Sequence, residues 1–176
     1  MKSTGIVRRL DELGRIVIPK EIRNNLRLRS GENIEIYTDG DSIIMKKFSF
    51  VNKISDLAQE LTDAIYTFLK HNIIITDMHE VIAASGKKKK ELLRKSLSNF
   101  MIEKIEKREK MFEGHIKSTE IIENKNYNCS YITNPIIKDG ECIGIIIIFS
   151  ESEKLTLDQL HIIEIVSSFI SKYLEE

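Results

Sequence analysis

Apolar residues recur along this chain with two different periods, and the change from one to the other divides it. Over the first fifty or so residues the apolar runs are short and β-branched. Ile6-Val7, continued by Arg8-Arg9-Leu10, predicts a short strand. Asp11-Glu12-Leu13-Gly14 predicts a turn, with Gly14 free to take a positive φ. Arg15-Ile16-Val17-Ile18 predicts a second strand. Pro19 suits the first position of a helix, where its missing N–H costs nothing. Glu21 follows in the first turn, favourable to the helix dipole, and Ile22 and Leu26 fall on one face. Ile34-Glu35-Ile36-Tyr37 alternates as a strand, Asp39-Gly40-Asp41 is a hairpin turn, and Ile43-Ile44-Met45 is the returning strand. Four short strands and a turn or two of helix bury too little surface to be stable alone. Two copies sharing one core would remove that deficit, so the pattern predicts an obligate dimer.

From residue 54 the period lengthens. Ile54, Leu57, Ala58, Leu61, Ile65, Phe68 and Leu69 follow helical spacing, opposite Asp56, Gln59, Glu60 and Asp63. No Gly/Pro-rich linker precedes this helix. Residues 72–77 and 81–84 read as strands, and the charged, periodic stretch 88–112 reads as one or two helices. Strands are expected from Ile116 to Ile122 and through Tyr131-Ile132-Thr133 and Pro135-Ile136-Ile137, before a turn at Lys138-Asp139-Gly140-Glu141. Cys142 to Phe149 is almost wholly apolar and predicts a central strand buried on both faces. Thr156 and Gln159 form a capping box that opens a last helix, striped by Ile162, Ile163, Val166, Phe169, Ile170, Tyr173 and Leu174. The order helix, two strands, helices, three strands, helix predicts an α+β domain with an antiparallel sheet.

Charge sharpens the division. The formal net charge is zero. Residues 1–53 nevertheless carry eleven Lys/Arg against seven Asp/Glu, and residues 1–30 carry eight against three. A basic first module on a mildly acidic body points to a polyanion partner for that module. The two cysteines, Cys129 and Cys142, have neither metal-site nor redox spacing, and the four histidines are scattered, so no metal is expected. No apolar run approaches the roughly 20 residues needed to span a bilayer. The start of the chain has no signal-peptide pattern, so a cytoplasmic location with no membrane partner is expected. There is no Gly-rich nucleotide loop and no GxSxG, so the reading is a non-enzyme with no catalytic residues and no cofactor.

The segment KSTGIVRRLDELGRIVIPKEIRNNL, continued by GENIEIYTDGDSIIMKK, resembles AbrB-type transition-state regulators over residues 1–50 without a gap. The whole-chain plan resembles the stage V sporulation protein T family, in which an AbrB-like domain precedes a GAF-like one. The ending SYITNPIIKDGECIGIIIIFS resembles the final hairpin of a GAF domain. The resemblance implies an α+β protein with two domains. Residues 1–50 would be a swapped-hairpin β-barrel, dimeric and bound to double-stranded DNA. Residues 51–176 would be a GAF-like antiparallel α+β domain for assembly, with a homotetramer and a small-molecule effector as further expectations. It also implies a nucleoid-associated regulator of sporulation genes, activating some promoters and repressing others. The family's DNA-gripping arginines match Arg8, Arg15 and Arg23, with Arg9, Lys20 and Asn24 as neighbouring candidates. Asn24 stands where the family often has another arginine, which removes one charge from the grip. Arginine suits this work because its planar fork of donors fits phosphate oxygens and the guanine edge.

Two rivals stand beside this reading. Swapped-hairpin modules also occur in antitoxins, which usually carry a short disordered tail rather than a patterned domain of over a hundred residues. An architectural protein that coats DNA uniformly is the other. The run Lys87-Lys88-Lys89-Lys90, with Arg94 and Lys95, is a second basic cluster, expected to be the solvated face of a helix. The ligand-binding residues of the second domain are not legible.

Overall fold

The computed structural model of the protein describes residues 4–28, 30, 31 and 33–174. The chain divides into two compact units, Met1–Phe48 and Ser49–Glu176.

The first unit contains a short helix, α1 (Lys20–Asn25), and a hairpin of β1 (Ile34–Asp39) and β2 (Ser42–Lys47). The strands run antiparallel from Ile34↔Lys47 to Asp39↔Ser42, so the loop is Gly40-Asp41, and Gly40 takes φ 54°. A two-residue loop of this kind needs positive φ to match the strand twist, which glycine supplies without strain. Pro19 is the N-cap of α1 rather than its first helical residue, one position from the sequence expectation. The helix ends in a Schellman motif. Leu28 N–H donates to Arg23 O at 2.7 Å and Arg27 N–H to Asn24 O at 3.1 Å, with Arg27 left-handed at φ 52°.

The expected strands at Ile6–Leu10 and Arg15–Ile18 are not formed within this chain. Both are open arms, joined at the turn by the Asp11 N–H donating to Arg15 O at 3.1 Å. A strand needs a ladder to satisfy its N–H and C=O groups and a face to bury. Here Val7 is 86 % and Val17 73 % exposed, and Leu10, Leu13 and Ile43 are exposed as well. Among the described residues of this unit only Pro19 is buried.

The second unit supplies its own core. It opens with α2 (Phe50–Lys53), a short helix the periodicity did not separate from the next, α3 (Ser55–Leu69). Then come β3 (Asn72–Thr76), β4 (Val81–Ser85), α4 (Lys89–Leu92), α5 (Asn99–Glu106), β5 (Met111–Ile122), β6 (Lys125–Lys138), β7 (Glu141–Ser150) and α6 (Leu157–Tyr173). The five strands form one antiparallel sheet in the order β4-β3-β7-β6-β5. The apolar run of β7 therefore occupies the centre. Ile145, Ile147 and Phe149 face a core with Met101, Ile105, Tyr127 and Tyr131. Ile146 and Ile148 face the opposite core with Ala58, Ile65, Ile163 and Ile170. The sheet is thus covered on both faces, by α3 and α6 on one and α5 on the other. The expected capping box of Thr156 and Gln159 opens α6, with Gln159 Oε1 accepting the Thr156 N–H at 2.5 Å.

Two residues that look wrong for strands explain themselves. Pro135 lies in β6 beyond the reach of β5, whose pairing starts at Met111↔Thr133, so that side of β6 is an edge and tolerates the missing donor. Gly144 sits where β7 meets the end of β3; a Cβ there would lie 2.0 Å from the Thr76 carbonyl oxygen. Gly144→Ala must push β3 away from the central strand. Overpacking of this kind costs about 1–3 kcal/mol or more, and the full chain should show a lowered thermal midpoint by calorimetry.

Candidate nucleic-acid interface

The expected DNA-binding residues all lie in the first unit and all are exposed: Arg8, Arg9, Arg15, Lys20, Arg23 and Asn24. The fold presents them in two groups. Lys20, Arg23 and Asn24 share one face of α1, because residues three and four apart on a helix are neighbours. Ile22 and Leu26 point the other way, into a small apolar groove with Ile18, Leu28, Ile34 and Met45. The second group surrounds the Asp11–Gly14 turn. Arg8 and Arg9 precede it in the open arm, where the Arg8 guanidinium donates to Val7 O at 3.3 Å. Arg15 follows it directly. No bond recorded among the described residues joins the two groups.

The turn itself is built by one residue that sequence reasoning did not single out. Asp11 Oδ1 accepts the N–H of Leu13 at 3.0 Å and of Arg15 at 2.7 Å. Its Oδ2 accepts Arg15 Nε–H at 2.8 Å. Gly14, at φ 75°, donates its N–H to Asp11 O at 3.0 Å. The backbone and side-chain donors of Arg15 hold the Asp11 carboxyl below its ordinary value. The available signal was an aspartate opening a turn four residues before an arginine.

The second basic cluster is differently employed. Lys88 Nζ lies 3.2 Å from Glu151 and 5.4 Å from the centre of the Tyr127 ring. Lys89 Nζ lies 3.5 Å from Asp63. Glu91 accepts from Tyr127 Oη at 2.8 Å and pairs with Lys125 at 2.9 Å, and the lysine holds its carboxyl low. Burial and the neighbouring Glu91 push the Tyr127 phenol up. Lys88 and Lys89 thus tie α4 to the sheet and to α3, while Lys87 and Lys90 are exposed. The run is not one solvated face.

Both cysteines are free, and burial pushes the Cys129 thiol up to about 12. Among the described residues no group of three or more His, Cys, Asp and Glu is gathered to hold a metal ion. No helix among them is long and apolar enough to cross a membrane.

An AbrB-like module followed by a GAF-fold domain defines the class, and comparison with known proteins agrees over both halves. The family model "Stage V sporulation protein T C-terminal, transcription factor" matches residues 53–175. The model "Antidote-toxin recognition MazE, bacterial antitoxin" matches residues 7–48. Stage V sporulation protein T of Bacillus subtilis (strain 168) is 38% identical over the whole of both chains. The transition state regulatory protein AbrB of the same organism is 48% identical over 63 residues, 36% of this chain and 65% of that one. The phycocyanobilin-bound GAF domain of a cyanobacterial phytochrome superposes with a TM-score of 0.53 at 13% identity, covering 69% of this chain and 84% of its own, which speaks to fold alone. The chain belongs to the stage V sporulation protein T family.

The turn chemistry has a direct consequence. An aspartate whose folded pKa is lowered contributes stability that is present above its unfolded value, 3.8, and lost as pH falls through the folded one. The protection factors of the Leu13 and Arg15 amides, taken against their intrinsic exchange rates, should therefore fall below about pH 4 while the second unit stays folded. Unchanged relative protection down to pH 2.5 would contradict the carboxylate's role in the turn.

Proposed function

We propose that this protein is a DNA-binding transcription regulator of sporulation genes, which grips duplex DNA with the basic first unit as a dimer. The observation that carries the reading is the coincidence of exposed arginines with apolar arms that the unit does not bury by itself. Ile6, Val7, Leu10, Ile16 and Val17 are exposed beside Arg8, Arg9 and Arg15. A second copy would satisfy the arms as strands and bring two sets of basic side chains to one surface. Arg8, Arg15 and Arg23 are the principal contacts in this reading. Arg9, Lys20 and Asn24 are the secondary ones. The domain limits we adopt are residues 1–50 for DNA and 51–176 for assembly.

The assembly role has its own support. Ile165, Phe169 and Tyr173 lie four apart on α6 and are 70%, 47% and 48% exposed, an apolar stripe facing away from the core. Packing of these stripes between dimers would give a tetramer. A small-molecule effector finds support between β6 and α6. There an open cleft of about 370 Å³ is lined by Pro135 and Ile137 together with Asn134, Ser167, Ser171 and Lys172, and Asn134 Oδ1 is buried without a hydrogen-bond partner. The antitoxin reading rests on the match to residues 7–48 and leaves the folded unit Ser49–Glu176 without a role. Nothing in the proposed function requires catalysis, and a location in the cytoplasm, on the nucleoid, follows from it.

Residues 1–53 expressed alone should sediment as a dimer, and the full chain as a tetramer that Ile165→Glu with Phe169→Glu reduces to a dimer. A folded monomeric fragment would reject the dimer, and an unchanged full-length assembly would reject the α6 stripe. Arg23→Ala should weaken DNA binding with the fold intact. Loss of a phosphate contact would flatten the log-affinity against log-salt slope by about 0.9. Loss of a base contact would cost about 1–3 kcal/mol and relax sequence preference. Wild-type affinity at every salt concentration would remove Arg23 from the interface.

A further inference from the structure

The Asp11–Arg15 pair presents a puzzle of sign. A carboxylate beside a DNA-contacting arginine cancels its charge and repels phosphate, so simple Coulomb reasoning makes Asp11 a liability. The pair also does little for folding, since exposed ion pairs contribute weakly, and here Arg15 and Asp11 side chains are 72% and 42% exposed. What the geometry does is fix orientation. The same carboxylate holds the backbone N–H of Arg15 through Oδ1 and its Nε–H through Oδ2, at 2.7 and 2.8 Å. Backbone and side chain of one residue are thereby gripped at both ends by one group. A guanidinium has five N–H donors in a rigid fork. With Nε–H engaged, the four donors on its two terminal nitrogens remain, and one from each nitrogen can meet guanine O6 and N7 or two phosphate oxygens. The long side chain has then lost much of its rotamer freedom before DNA arrives, which lowers the entropy lost on binding.

Resting on the reading of Arg15 as a DNA contact, we propose that Asp11 is the positioning residue of that contact, aiming the Arg15 fork through the turn it closes. The Coulomb and orientation accounts predict opposite signs. If charge governs, removing Asp11 tightens binding; if orientation governs, removing it weakens binding.

The experiment uses the full-length protein with Asp11→Ala, Asp11→Asn, Arg15→Ala and the two double variants. Affinities are measured on a duplex selected by the wild-type chain from a random pool, and on an unselected duplex. Asp11→Ala should weaken binding to the selected duplex by about tenfold, equivalent to about 1.4 kcal/mol. The loss should be smaller on the unselected duplex and should vanish in the Arg15→Ala background. Asp11→Asn keeps an oxygen for the turn amides and loses the charge, so it should retain the wild-type fold and show an intermediate loss. It decides the matter if Asp11→Ala fails to fold. Tighter or unchanged binding by Asp11→Asn would overturn the positioning role while leaving the Arg15 contact standing. An equal loss with and without Arg15 would overturn it too, since Asp11 would then act elsewhere. Wild-type affinity in Arg15→Ala would instead overturn the contact itself, and the inference with it.

Discussion

The burial of apolar side chains that the first unit does not achieve by itself is the constraint on which the rest depends. Its hairpin β1–β2 and helix α1 enclose a small groove, and among its described residues only Pro19 is buried. Apolar surface exposed on this scale is not stable in a free module of this size. In the function proposed here, sharing a core with a second copy and forming the DNA-binding surface are one event. The arms that would complete the β-structure carry Arg8, Arg9 and Arg15, so a monomer would have neither a core nor a grip.

The second unit has the opposite economy. Its sheet is covered on both faces, and the central strand β7 is flanked by apolar side chains on each side. That leaves its outer helix α6 free to carry an apolar stripe without weakening the core. Lysines expected on a solvated helix face are instead drawn into ion pairs, Lys88 with Glu151 and over Tyr127 and Lys89 with Asp63, holding α4 in place. Charge is thus partitioned by use. In the first unit the described arginines lie on exposed faces, and in the second Lys88 and Lys89 are half-buried and structural.

Much of this was legible in the sequence because it rests on local pattern. The order of elements from α3 to α6 and the central position of the Cys142–Phe149 run follow from periodicity and turn residues. The arms at Ile6–Leu10 and Arg15–Ile18 also carry strand pattern, yet the chain alone does not form them, because strand pairing is a property of partners rather than of propensity. The separate helix α2, the continuity of β6 through Pro135 and the two-ended grip of Asp11 on Arg15 were not legible. Each depends on where a second segment ends or on which oxygen meets which amide, and no residue spacing encodes that. The candidate arginines were found by motif resemblance, and the fold adds that they stand in two groups, on the turn and on α1.

The most direct test of the shared core is amide hydrogen exchange of residues 6–10 and 15–18 across a dilution series of the full-length protein. The account predicts strong protection of both arms at high concentration, lost together as the protein is diluted through dissociation, in step with loss of DNA binding. Arms that exchange freely at every concentration while the protein still binds duplex DNA would contradict it.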